Sequence, residues 1–147
     1  MIFKKDMKVL TKNGLKDYKK PSIRFYLNET LLSKSVDYGN IICDYRVYTF
    51  YTKNDKRYEI IDDGKMVFTS RGFVRICDLD VGDVLISYSM RNTEYGASSM
   101  VLNEERIVGV SDEYLFPVLI EGISVPYDEI ISDGLLFKAW QKPPFVL

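Results

Sequence analysis

Few residues in this chain could do chemistry. There is no histidine, the cysteines are Cys43 and Cys77, and among the acids that stand together are the adjacent pairs Asp62-Asp63, Asp112-Glu113 and Asp128-Glu129. Without imidazole, no side chain changes charge near neutrality unless its surroundings force it to. Neighbouring acids on a strand point to opposite faces, so these pairs do not build a shared acid–base site. Lys65 could act as a base only if burial lowered its pKa. Two cysteines without histidine or C-x-x-C spacing make a poor zinc site and read as free thiols of a reducing compartment. Neither metal nor cofactor is expected.

One stretch has the wording of a reaction centre, MVFTSRGFVRICDLDVGDVL at 66–85. It reads as a strand, a turn at Gly72, a return strand and the acidic phrase Asp78-Leu79-x-x-Gly82-Asp83. Taken alone, Gly72 is a turn glycine needing positive φ. Asp78 and Asp83 are expected to satisfy backbone donors in a tight turn rather than to act as acid and base.

Such residues need a scaffold, and the scaffold reads as β. Runs rich in β-branched and aromatic residues occur at 7–11, 41–52, 57–61, 66–69, 73–76, 83–89, 105–111, 114–122, 124–131 and 135–140. Turn residues punctuate them at Lys12-Asn13-Gly14, Asn54-Asp55, Asp63-Gly64, Arg71-Gly72 and Asp133-Gly134. No window keeps a helical period; residues 28–36 are expected to form one short helical turn, and 17–24 and 90–103 are expected to be loops. Residues 1–140 therefore form a single all-β domain. The tail 141–147 cannot be regular at Pro143 and Pro144. It ends in Phe145, Val146 and Leu147, an apolar group expected to dock on this domain or on a neighbour.

The chain also repeats itself. Val9-Leu10-Thr11-x-x-Gly14-Leu15 matches Val67-Phe68-Thr69-x-x-Gly72-Phe73 at a shift of 58 residues. A hairpin duplicated half a domain apart predicts pseudo-twofold architecture.

Together these features resemble the Hint (hedgehog/intein) family of self-processing domains. That family's fold is an all-β horseshoe of two pseudo-symmetric halves. Its opening block, a nucleophilic Cys or Ser ahead of V-x-T-x-x-G, is matched by IFKKDMKVLTKNG, with Ile2 in the nucleophile's place. Its second block, T-x-x-H then T-x-x-G then D-L-x-x-G-D, is matched by DDGKMVFTSRGFVRICDLDVGD, with Asp62 and Lys65 at the T-x-x-H ends. Its closing G-x-x-x-H-N is matched by Gly134 onward, with Lys138 and Ala139 replacing the His and Asn. The resemblance implies a nucleophile that shifts the preceding peptide bond, a histidine that protonates the leaving amine, and an asparagine that cyclises. Ile2, Lys65, Lys138 and Ala139 can do none of this, and one residue before Ile2 is not an upstream flank worth splicing. The turn and packing positions Thr11, Gly14, Thr69, Gly72, Asp78, Leu79, Gly82, Asp83 and Gly134 are retained.

The expected product is thus a fold without its catalysis: a non-catalytic structural protein packed with other subunits in an assembly, in the bacteriophage context where Hint-like domains are widespread. A net charge of −1 gives no support to nucleic-acid binding. No apolar run approaches the roughly 20 residues of a membrane span, and lysines interrupt any signal-peptide core at the amino terminus. A virion or the host cytoplasm is the expected location. Residues 1–20 carry seven Lys against two Asp, and 104–133 carry eight acids against Arg106. These poles read as solvated faces or as complementary surfaces for oligomer or hetero-complex packing. Two other functions stay open: a free adaptor offering a sheet edge or groove to a peptide, and an enzyme with relocated catalytic residues.

Overall fold

In the computed structural model, residues 1–18, 24–33, 39–92, 95–111 and 118–140 are described. In chain order the strands are β1 (Ile2–Lys4), β2 (Lys8–Thr11), β3 (Gly14–Asp17), β4 (Phe25–Tyr26), β5 (Leu31–Ser33), β6 (Gly39–Thr52) and β7 (Arg57–Asp62). Then follow β8 (Met66–Thr69), β9 (Gly72–Arg75), β10 (Val84–Asn92), β11 (Ser98–Ser111), β12 (Val118–Ser124), β13 (Glu129–Ser132) and β14 (Leu135–Lys138). A single 3₁₀ turn, Ile76–Asp78, interrupts them among the described residues. The chain is all-β, as its turn punctuation predicted.

The duplicated hairpins are built alike. Thr11 Oγ1 donates to Gly14 O at 2.8 Å and accepts from Asn13 N; Thr69 Oγ1 donates to Gly72 O at 2.8 Å and accepts from Arg71 N. Gly14 and Gly72 have φ of 96° and 95°, which a side chain would strain. Both hairpins flank a third, β13–β14. Val9 lies opposite Ser132 and Val67 opposite Phe137, and all these pairings are antiparallel. This register is that of a twofold axis normal to the sheet through the Ile131–Leu136 pair, exchanging β2 with β8.

Strands β6, β10 and β11 extend from this centre. β6 pairs with β12 along its first half, and with β7 and β11 along its second, and β1 adds to the outer edge of β12. The main core gathers Phe3, Val9, Val67, Leu85, Ile107, Ile130 and Phe137. A second cluster of Leu10, Tyr88, Ile131 and Leu136 lies on the sheet's other face. Coverage on both faces explains why β2, β13 and β14 read as continuous apolar runs instead of alternating ones.

Two local expectations fail. Residues 28–33 are not helical: Thr30 N donates to Asn28 Oδ1 at 2.9 Å, an Asx turn, and β5 pairs with β4. The same carboxamide that could cap a helix caps a turn instead; residues 34–36 lie outside those described. The expected loop at 90–103 is largely the end of a long hairpin, because Met90 to Asn92 pair with Met100 to Ser98. Small polar residues there are compatible with a solvent-exposed ladder.

Candidate functional site

Of the four positions that the resembled family would use for chemistry, Ile2 and Lys65 meet at the edge of the molecule where β1 begins. Met1 and Val125 exchange both backbone hydrogen bonds, at 3.1 and 2.9 Å. In an antiparallel ladder the next residue then aims its N–H and C=O away from the partner strand. That residue is Ile2, and its groups meet side chains from the β7–β8 turn. Ile2 N donates to Asp63 Oδ2 at 2.7 Å, and Lys65 Nζ donates to Ile2 O at 2.7 Å.

The local sequence Asp62-Asp63-Gly64-Lys65 builds this arrangement. Asp62 Oδ1 accepts from Gly64 N and Asp63 Oδ1 from Lys65 N, so successive Asx turns fold the segment back. The turn sends the Lys65 side chain inward, where it is 1% exposed beside an Asp63 that is 8% exposed. Lys65 Nζ donates to Ile2 O, Ile61 O and Asp63 Oδ1. It also lies 4.8 Å from the Phe3 ring centroid and 5.7 Å from that of Phe137, a cation–π environment. All three ammonium donors are matched.

Lys138 and Ala139 come near but do not join. Lys138 sits opposite Met66 in the β14–β8 ladder, yet its side chain leaves by the other face. There Lys138 Nζ is 5.3 Å from the Phe73 centroid and 4.0 Å from Glu129 Oε1. Ala139 N donates to Asp128 O at 2.8 Å. A cleft of about 460 Å³ opens beside the site, with Phe3, Ile61 and Phe137 on its floor and Lys4, Tyr58 and Glu59 on its wall. Among the described residues no cluster of three His, Cys, Asp or Glu side chains is placed to hold a metal.

The acidic phrase is a corner held by one arginine. Arg71 grips both oxygens of Asp83 at 2.9 and 3.2 Å, and Asp83 Oδ2 also accepts from Asp80 N. The Arg71 hydrogen bond holds the Asp83 carboxyl below its ordinary pKa. Gly82, at φ 97°, gives its N–H to Ile107 O, and Ile107 N answers to Asp83 O. Leu79 is buried beneath. Asp78 departs from expectation: it offers Arg71 its backbone carbonyl, whereas its carboxylate meets the Cys77 thiol at 3.8 Å. The 3₁₀ turn directs that side chain to solvent, away from backbone donors. Cys77 is a free, exposed thiol pushed up in pKa by desolvation and then by Asp62 and Asp78. Gly134 combines φ of 85° with a close approach, since a Cβ there would stand 3.1 Å from Tyr88 O. The Cys43 side chain and the tail residues Pro143, Pro144, Phe145, Val146 and Leu147 lie outside the described residues.

Two participants were not singled out from sequence. In the sequence Asp63 reads as half of an adjacent pair whose members face opposite sides and share no site. Glu105 is a buried acid accepting from Thr52 Oγ1 at 2.9 Å and Asn54 Nδ2 at 3.2 Å, which ties the β6–β7 turn to β11. Its alternation with buried Ile107 is the signal that could have found it. The charged poles partly meet within the chain, since Lys5 pairs with Glu121 at 3.3 Å and Lys8 N donates to Asp133 Oδ1 at 3.2 Å.

Comparison of the structure with solved proteins decides the fold. The crystal structure of the gp41-1 intein is similar at a TM-score of 0.55 and 13% identity, over 93% of this chain and 96% of that one. The solution structure of the DnaX mini-intein from Spirulina platensis matches at 0.56 and 14% identity, over 92% and 98%. The Ssp DnaB mini-intein variant M86 matches at 0.54 and 15% identity, over 97% and 96%. The fold is Hint-like. No family model and no curated protein matches the sequence. At these identities the likeness is one of architecture, and the Hint-like scaffold extends across nearly the whole chain. Among the described residues, no helix of this scaffold is long and apolar enough to cross a membrane.

Proposed function

We propose that the chain is a non-catalytic structural or interaction protein, a Hint-like domain emptied of its self-processing chemistry. It packs with other protein subunits in a larger assembly, a bacteriophage virion component of the tail, neck or capsid-associated region. The observation that carries this reading is the state of Lys65. Where the resembled family places a proton donor, this chain has an ammonium whose three donors are committed to Ile2 O, Ile61 O and Asp63. A general acid needs a donor free to reach the leaving group. Ile2 supplies no nucleophile, and Lys138 and Ala139 supply neither imidazole nor amide.

The assembly context draws on two supports. Ile42 and Leu119 lie diagonally across the β6–β12 ladder and are 70% and 74% exposed, an apolar pair on an open sheet face. Hint-like domains are widespread in phages, and a histidine-free chain rich in Lys, Tyr and Ile suits an AT-rich genome. The adaptor reading is weaker at β1, because Asp63 and Lys65 occupy the backbone groups that an added strand would use.

Two measurements test the proposal. Mass spectrometry of purified particles should find the chain at fixed stoichiometry with structural proteins; its absence from every particle fraction would remove the virion role. A version fused to an upstream flank should stay intact during incubation with thiol. Release of that flank would overturn the non-catalytic reading.

A further inference from the structure

The second apolar face of the sheet is incompletely covered by the described residues. An open groove of about 530 Å³ there has Phe68, Tyr88, Leu102 and Leu136 as its floor and Asn28, Glu29 and Thr30 as its rim. Phe73, Met90 and Met100 extend the apolar surface beside it. Leu102 is half exposed, at 50%, and Glu29 together with Glu129 gives the rim a negative character near Tyr88.

The chain leaves β14 on this same face. Arg75 alternates onto the side of β9 that Phe73 occupies, and its guanidinium carbon lies 5.4 Å from the Trp140 ring centroid. After Trp140 the sequence reads QKPPFVL: one cation, two prolines and three large apolar residues. Seven extended residues span up to about 23 Å. The four-residue strand distance from Trp140 back to Leu136 is about 13 Å, so the segment can reach the groove. Its chemistry complements the site, apolar residues against an apolar floor and Lys142 against the Glu29 rim. The prolines restrict the free segment and lower the entropy lost on docking. A segment tethered this closely also meets the groove at an effective concentration in the millimolar range, which favours it over a free partner.

We propose that this groove is the docking site of the chain's own residues 141–147, with Phe145, Val146 and Leu147 on the Phe68–Leu102–Leu136 floor. The inference does not depend on the non-catalytic reading.

The methionine methyl groups report on it, because Met90 and Met100 face each other on the rung next to Tyr88 and Leu102. In the full chain labelled at methionine methyls, nuclear Overhauser contacts should link the Phe145 ring to Met90 or Met100. Phe145→Ala should shift both methyl signals and leave those of buried Met7 and of Met66 in place. Leu102→Glu, a change at a half-exposed position, should abolish the same contacts without altering the tail. Unmoved Met90 and Met100 signals in Phe145→Ala, with no contacts in the parent chain, would overturn the proposal. Contacts seen only between differently labelled copies in a mixed sample would also overturn it, by assigning the groove to a second copy.

Discussion

Replacing Lys65 by Met tests the clamp at β1 with little change in volume. The substitution removes an ammonium that serves Ile2 O, Ile61 O and Asp63, all close to or within the interior. Each carbonyl left unpaired costs about 1–3 kcal/mol where water does not reach it. Asp63, 8% exposed, keeps its bonds from Ile2 N and Lys65 N but loses its counter-ion. Removing one partner of a buried pair costs about 3–5 kcal/mol, and the two routes to the figure overlap instead of adding. For a domain of this size each kcal/mol lowers Tm by roughly 2–4 °C, so the expected drop is roughly 6–20 °C. Urea denaturation should show a lower midpoint at unchanged slope. Hydrogen exchange should show the β1 amides opening before those of β8 and β14. Adding Asp63→Asn should recover part of the loss, because the second change discharges the carboxylate that the first stranded. A loss below about 1 kcal/mol with β1 protection intact would refute the reasoning, by showing that desolvation of the pair cancels what it contributes.

Three further outcomes follow from single contacts. Asp83 is held below its ordinary pKa first by Arg71, so its contribution is complete above the unfolded carboxylate value near pH 4 and is lost as pH falls through the lower folded value. Arg71→Gln should flatten the acid limb of a Tm-versus-pH curve, and an unchanged limb would detach the arginine from the corner. Gly14→Ala and Gly72→Ala meet open space and differ from nothing but φ, so each should cost about 1–2 kcal/mol, equal within roughly 0.5 and additive. Unequal costs in denaturant titrations would break the proposed equivalence of the two hairpins. Tyr58, pushed up to about 12 by burial and then by Glu105, keeps its proton in the folded state after unfolded tyrosines lose theirs. Stability should therefore fall as pH rises from about 10 toward 12, and Tyr58→Phe should reduce that slope; an identical slope would place the ionisation elsewhere.

How much of this was legible in the sequence depends on where the determining physics is local. The two Thr-x-x-Gly turns were legible because positive φ and a threonine cap are written within four residues. The corner at Asp78–Asp83 was legible as a turn, but the grip of Arg71 on Asp83 spans twelve residues and left no local mark. Lys65 could be aligned but not placed, since lysine is among the side chains least often buried and only tertiary contacts reveal the exception. Asp63 and Glu105 were missed for the same reason: an acid in a charged dipeptide looks solvated until its strand is assigned a face. The β10–β11 hairpin was underestimated because a ladder exposed to solvent needs no apolar pattern to persist once its strands are anchored at Tyr88 and Ile107. The short helical turn expected from residue 28 was wrong because the Asx turn at Asn28 is set by one side-chain bond and leaves no periodic signal.

An ammonium at position 65 suits what surrounds the atom. Three acceptors and two aromatic faces converge there. A neutral imidazole has one donor, a protonated one has two on opposite sides of a rigid ring, and neither matches three acceptors converging on one point. An ammonium on a flexible stem does. The fit has a consequence for Ile2, whose outward N–H and C=O would otherwise form an open sheet edge. Asp63 accepts from the one and Lys65 donates to the other, so an ion pair stands in for a missing strand. A site that holds a peptide group this completely restricts the distortion that acyl transfer would require, and it closes the edge to a competing strand. The same two side chains thus support the non-catalytic reading proposed above and account for a β1 edge that resists further pairing.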